Sequence, residues 1–319
     1  MTTYYGKGDD MKILVIGAGA IGGYFGGRLL EAKRDVVFLV RPRRAGQLAK
    51  TGLVIKSPAG DVNIPNPPTV QADALDQHFD LILLSCKAYD LDDAIGSFAP
   101  VVGPDTVILP LLNGMRHLDS LEQRFGTKAV LGGQCVISST MDADGRIIHL
   151  GDFHTLTFGE RDGARTGRAS TIEAEFARAK FDTELVEGIL QEMWEKWVFI
   201  ASLAGITCLM RAAIGDIVIA GGADLALALL DECTAIASEQ GFSPRAAALQ
   251  RTRTVLTAAG SPLTASMLRD VEGGGRTEFE HVLGDLMRRG RTKETMASVL
   301  RMAYVHLAAY EARQRRLAK

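Results

Sequence analysis

The run from Lys12 to Gly23, KILVIGAGAIGG, constrains this chain more than any other stretch. Lys12 to Ile16 is short, β-branched and apolar, which favours a strand. It breaks at Gly17, and helical spacing then carries through Tyr24, Leu29 and Leu30. A buried strand, a tight turn and a helix in that order begin a parallel βαβ unit. Gly17, Gly19 and Gly22 fall in the spacing G-x-G-x-x-G. Gly17 permits the turn, Gly19 lets backbone approach a ligand, and Gly22 lets the helix pack onto the strand. The helix N-terminus adds N–H donors and partial positive charge. Gly17, Ala18, Gly19, Ala20, Ile21 and Gly22 are therefore candidate contacts to a dinucleotide pyrophosphate. A glycine-rich turn without ligand is the competing reading.

The next segments support the unit. DVVFLVR, FDLILLSCK, DTVILPLLNG and AVLGGQCVIS are continuous apolar runs rather than alternating ones. Strands buried on both faces look like that, as in a parallel sheet covered by helices. GRIIHLGDFHTLTFGE reads as a hairpin pair punctuated by Gly145 and Gly151. After about Glu187 the character changes to helices, among them EGILQEMWEKWVFIASLAGITCLM and ADLALALLDECTAIASEQ, the latter ended by Gly241. With 319 residues, the expected organisation is α/β: a flexible extension over 1–10, a Rossmann-like doubly wound domain over 11–186, and an all-helical domain over 187–319.

Composition excludes several classes. A formal net charge of −2 gives no basic field for nucleic acid. The uncharged run Val198 to Met210 is short of the roughly 20 residues a spanning helix needs, so no membrane partner is expected. Cys86, Cys135, Cys208 and Cys233 form no C-x-x-C pair and lie in apolar contexts, which points to buried, reduced thiols and a cytoplasmic protein. The apolar residues on several faces of ADLALALLDECTAIASEQ suit either a homodimer contact or the central helix of a monomer, and patterning does not choose. His149, Asp152 and His154 lack a third strong ligand nearby, so no metal site is read there.

The end of the second strand bears on cofactor choice. An NAD enzyme usually carries Asp or Glu there for the ribose 2′-hydroxyl. This chain has Arg41, Arg43 and Arg44 instead. A guanidinium fits a 2′-phosphate, so NADPH is favoured, with Arg41 the candidate and at least one of Arg43 and Arg44 a solvated loop residue.

GAGAIGG, LVR, LLSCKAYD, PLLNGM, EMWEKWV and SMLRDVEGGGRTEFEHVLG occur in that order. On these motifs the chain resembles the 2-dehydropantoate 2-reductase (ketopantoate reductase) family, from Lys12 to about Arg289. The resemblance implies NADPH-dependent reduction of a 2-oxo acid to a 2-hydroxy acid, the step from 2-dehydropantoate to pantoate in pantothenate biosynthesis, with the active site between two domains. It implies Lys87 beside cofactor and substrate and Asn113 near the nicotinamide. It implies Lys196 as proton donor to the carbonyl oxygen, Glu278 as the acid that binds within the substrate site and orients Lys196, and Ser266 as a substrate contact. Taken singly, Lys87 and Lys196 read as element-end lysines, Asn113 as a turn former and Glu278 as a solvated helix residue.

The chain departs from its relatives on the lysine helix. They present asparagines four and eight residues after the lysine, positions that share its face. Here these are Ile200 and Ala204. A site that loses those amides implies a less polar substrate than ketopantoate. A related hydroxy-acid or opine-type dehydrogenase, and a non-catalytic NADPH-binding regulatory protein, remain alternatives.

Overall fold

The computed structural model describes residues 11–290 and 298–318; the extension expected over 1–10 lies outside them. In chain order the elements are β1 (Ile13–Ile16), α1 (Gly22–Glu31), β2 (Val36–Leu39), α2 (Pro42–Thr51), β3 (Leu53–Lys56), β4 (Val62–Ile64) and β5 (Thr69–Val70). Then come β6 (Leu81–Leu84), α3 (Leu91–Phe98), β7 (Val107–Pro110), α4 (Arg116–Phe125), β8 (Gly132–Met141), β9 (Ile147–Gly159), α5 (Gly167–Phe176) and β10 (Asp182–Leu185). The rest is helical: α6 (Ile189–Met210), α7 (Ile214–Ile219), α8 (Ala223–Glu239), α9 (Ala246–Leu256), α10 (Ser266–Glu272), α11 (Asp285–Arg289) and α12 (Val299–Leu317).

The chain divides into two compact units. The first takes the residues up to Leu112 and His117–Ile189; the second takes Asn113–Arg116 and everything from Leu190. The division falls between Ile189 and Leu190, and Asn113 belongs with the helices.

In the first unit one sheet has the order β5-β2-β1-β6-β7, with every pairing parallel. Numbered among themselves these five strands run 3-2-1-4-5, the doubly wound order, and the ligand crevice of such a sheet lies where the order reverses, beyond β1 and β6. The apolar runs account for it: Ile13, Leu14 and Val15 on β1 and Leu81 to Leu84 on β6 are buried on both faces. A second sheet has the order β10-β9-β3-β4, with β8 antiparallel to β9.

The hairpin reading needs correction. Gly145, with φ of 81°, does lie in the turn between β8 and β9. Gly151 is no turn: it lies inside the 13-residue β9. The register jumps there from Ile137↔His154 to Ser139↔His149, so residues 150–153 oppose a single residue of β8. His149 and His154 flank this bulge. Tyr24 Oη lies 2.6 Å from His154 Nδ1, and Ser57 Oγ lies 2.9 Å from His149 Nδ1. His154 is thereby taken up in packing α1 against β9, and His149 in packing the residues after β3 against it.

The second unit is built on α6. Its 22 residues exceed the uncharged run counted from Val198, and it is long and apolar enough to cross a membrane by composition. Most of it is instead buried inside the fold, with Trp197, Ala201, Ile206 and Cys208 fully covered. α9, α11 and α12 of the same unit pack on α8, which accounts for apolar residues on more than one of its faces. Gly241, with φ of 88°, follows the α8 C-terminus as expected.

The four cysteines are free. Cys135, Cys208 and Cys233 are buried, whereas Cys86 is half-buried, contrary to expectation. Burial pushes the Cys208 and Cys233 thiols up to about 12, so neither offers a thiolate at neutral pH.

Candidate functional site

In the first unit the glycine loop joins β1 to α1. Gly17 takes φ of 92°, a conformation that suits glycine. Its N–H donates to Leu39 O at 2.9 Å, and Ser85 Oγ, just past β6, donates to Ile16 O at 2.9 Å. Gly22 is where α1 meets this turn: a Cβ there would lie 2.3 Å from Gly17 O and 2.1 Å from Ser85 Oγ. At Gly19, by contrast, a Cβ would meet nothing within 4 Å. Among the described residues no side chain caps α1, and its first turn holds no acid. Backbone donors without a capping carboxylate, beside open space at Gly19, fit the pyrophosphate of a dinucleotide.

The arginines after β2 separate. Arg43 is exposed. Arg41 is also exposed, and its guanidinium pairs with Asp93 at 2.8 Å and Asp90 at 3.2 Å. Arg44 is a residue that sequence reasoning passed over. Its Nε donates to Ala18 O at 2.9 Å and its Nη1 to Gly145 O at 3.0 Å. It braces the glycine loop from α2, and burial lowers its pKa. In the sequence it stands only as one of three arginines after the second strand. Lys87 is exposed and lies immediately after β6, two residues beyond Ser85.

In the second unit three distant segments converge. Asn113 and Gly114 pack on His281: a Cβ at Gly114 would lie 2.9 Å from His281 Cδ2, and the imidazole bonds to the Asn113 backbone. Burial pushes the His281 pKa down, which keeps the ring neutral near pH 7. His281 follows Glu278 by three residues and lies in a short π-helical turn, Glu280–Gly284, a local geometry common at functional sites. Trp197 Nε1 donates to Val282 O at 2.8 Å in the same turn. That bond ties α6, next to Lys196, to the segment that carries Glu278.

The convergence is fixed from several sides. Glu195 is buried and accepts from Arg245 N at 2.7 Å, Arg245 Nε at 2.8 Å and Gln191 Nε2 at 3.0 Å. Its carboxylate is committed to anchoring α6. Lys196 is half-buried, one position further on. Ile200 is half-buried and Ala204 is 4% exposed. Ser266 is exposed at the start of α10. Beside it, Ala265 N donates to Thr207 Oγ1 of α6 at 3.4 Å.

Glu311 of α12 was also missed. Its Oε1 accepts from Thr277 N at 2.7 Å and Thr277 Oγ1 at 2.9 Å, with Thr277 buried. It therefore sets the backbone immediately before Glu278. Glu311→Ala should lower stability by about 1–3 kcal/mol, because a buried N–H loses its acceptor. Glu311→Gln retains an acceptor oxygen and should recover most of that loss in denaturant melts. Equal destabilisation by both variants would show that this bond is not what holds the segment.

Residues 13–163 match the family described as ketopantoate reductase PanE/ApbA, and residues 188–311 match that family's C-terminal region. An uncharacterized oxidoreductase of Bacillus subtilis, YkpB, is 39% identical over 303 residues, which cover 95% of this chain and 99% of the relative. The crystal structure of 2-dehydropantoate 2-reductase from Methylococcus capsulatus is similar at a TM-score of 0.83 and 27% identity, covering 95% of this chain and 98% of that one. A structure of D-mandelate dehydrogenase with NADH and anilino(oxo)acetate shares the fold at a TM-score of 0.85 and 17% identity, covering 96% and 100%.

Proposed function

Because the chain belongs to the ketopantoate reductase PanE/ApbA family of oxidoreductases, we propose that it reduces a 2-oxo acid to the 2-hydroxy acid with NADPH. The carrying observation is the tie between the Lys196 helix and the Glu278 segment through Trp197 and Val282, with Asn113 held on the same segment by His281. The nicotinamide, when bound, supplies a hydride to the ketone carbon. That transfer leaves negative charge on the carbonyl oxygen. Lys196 is the group that stabilises this charge and donates the proton. Glu278 binds within the substrate site and orients the Lys196 ammonium. Asn113 serves the nicotinamide end, and Ser266 holds the substrate. Gly17 to Gly22 cradle the pyrophosphate, Lys87 lies beside it, and Arg41 addresses the 2′-phosphate.

The substrate follows from the α6 face. Lys196, Ile200 and Ala204 recur at helical spacing. That face offers the reacting group a cation but no amide for a substrate hydroxyl. A hydroxyl left unpaired there costs about 1–3 kcal/mol, or roughly 5–150-fold in kcat/KM. NADPH oxidation should be followed across a panel of 2-oxo acids. Ketopantoate should fall at least about fivefold below the best apolar 2-oxo acid in kcat/KM, the lower bound of that estimate. Ketopantoate emerging as the best substrate would overturn the substrate reading.

A further inference from the structure

The residue proposed to recognise the 2′-phosphate does not stand alone. Arg41 shares its guanidinium with two carboxylates of the first unit, Asp93 at 2.8 Å and Asp90 at 3.2 Å. Asp90 also lies 3.4 Å from Nη1, so both terminal nitrogens face acids. One cation against two anions leaves this cluster net negative. The acids come from the start of α3, directly after β6 and Lys87. They therefore stand at the same end of the parallel sheet as the glycine loop.

Resting on the cofactor reading above, we propose that Asp90 and Asp93 are specificity-determining residues that hold down the NADPH preference Arg41 would otherwise confer. A 2′-phosphate arriving at Arg41 must displace the carboxylates from the guanidinium and then remain beside them. Like charges held that close are unfavourable in either position. A ribose 2′-hydroxyl meets no such penalty, since it donates a hydrogen bond to a carboxylate. This is the contact made in NAD enzymes by an acid at the end of the second strand. Here the acid is supplied from the segment after β6, on the far side of β1 from β2, which is why reading the second strand alone points only to NADPH. Asp90 is the more confined of the pair: its side chain is 30% exposed, against 73% for Asp93. The pairing also raises the Arg41 pKa, chiefly through the Asp90 hydrogen bond, as expected for a guanidinium held by acids.

The test is equilibrium binding of NADPH and NADH, read by nucleotide fluorescence, to the wild type, the isosteric double variant Asp90→Asn/Asp93→Asn, and Arg41→Ala. The wild type should bind the two nucleotides within about tenfold of each other. The double variant should tighten NADPH by about tenfold while NADH binding stays level or weakens. Arg41→Ala should weaken NADPH selectively. Exposed ion pairs contribute little to folding, and a matched thermal melt confirms that the double variant is folded. An unchanged NADPH to NADH ratio in the double variant overturns this inference alone. Failure of the wild type to bind either nucleotide overturns the cofactor reading and this inference with it.

Discussion

Lys196→Ala should cut kcat/KM by about 10²–10⁴-fold, the range for loss of a positioned general acid, while nicotinamide nucleotide affinity stays close to that of the wild type. The side chain is half-buried on a helix that cannot easily yield. Glu195 pins one side of that helix through Arg245, and fully buried Trp197 pins another through Val282. Lys196→Arg keeps the charge but holds its proton too tightly to donate it, so it should recover little of the turnover. Steady-state oxidation of the reduced cofactor, paired with fluorescence binding, checks both halves. A variant that keeps more than about a tenth of wild-type kcat/KM would remove Lys196 from the role of proton donor. A wild type that binds nucleotide but turns over no 2-oxo acid would favour the regulatory reading instead.

Much of the fold was legible because the strongest signals are local. β1, β2, β6 and β7 are buried on both faces, so their runs are continuously apolar and bounded by turn residues. The switch from Ile16 to the glycine loop is a change of period within a few residues. β3, β4, β5 and β10 were not legible. They are two to four residues long and partly exposed, so no period has room to develop. Gly151 misled because a bulge and a turn use the same residue type.

The site divides along the same line. Gly17, Gly19, Gly22 and Lys196 stand in recognisable strings. Arg44, His281 and Glu311 do their work through partners 26, 168 and 34 positions away in sequence: Ala18, Asn113 and Thr277. No local pattern records such pairings. The acids on Arg41 are likewise separated from it by 49 and 52 positions. A search confined to the end of β2 therefore sees three arginines and no carboxylate.

Two glycines of one motif should respond in opposite ways to the same methyl group. At Gly22 an added Cβ would press on Gly17 O, 2.3 Å away, and on Ser85 Oγ, 2.1 Å away. The Ser85 side chain could rotate, but only by giving up its bond to Ile16 O, and Gly17 O is backbone held in the turn. Gly22→Ala must therefore lift α1 from β1, and overpacking of this kind costs about 1–3 kcal/mol or more. Its thermal midpoint should fall, and nucleotide affinity should fall with it because the loop is displaced. At Gly19 the methyl meets no protein atom within 4 Å. Gly19→Ala should keep the wild-type melt, or gain about 0.4–1 kcal/mol from the stiffer unfolded chain. The methyl nevertheless occupies the approach of the pyrophosphate, so nucleotide affinity should drop by about tenfold or more. Melts of both variants, each with and without NADPH, separate packing from binding. The ligand-induced rise in midpoint should shrink in Gly19→Ala although its unliganded melt is normal. If Gly19→Ala keeps that rise in full, the glycine loop is a turn and not a phosphate cradle, and the functional reading built on it fails with it.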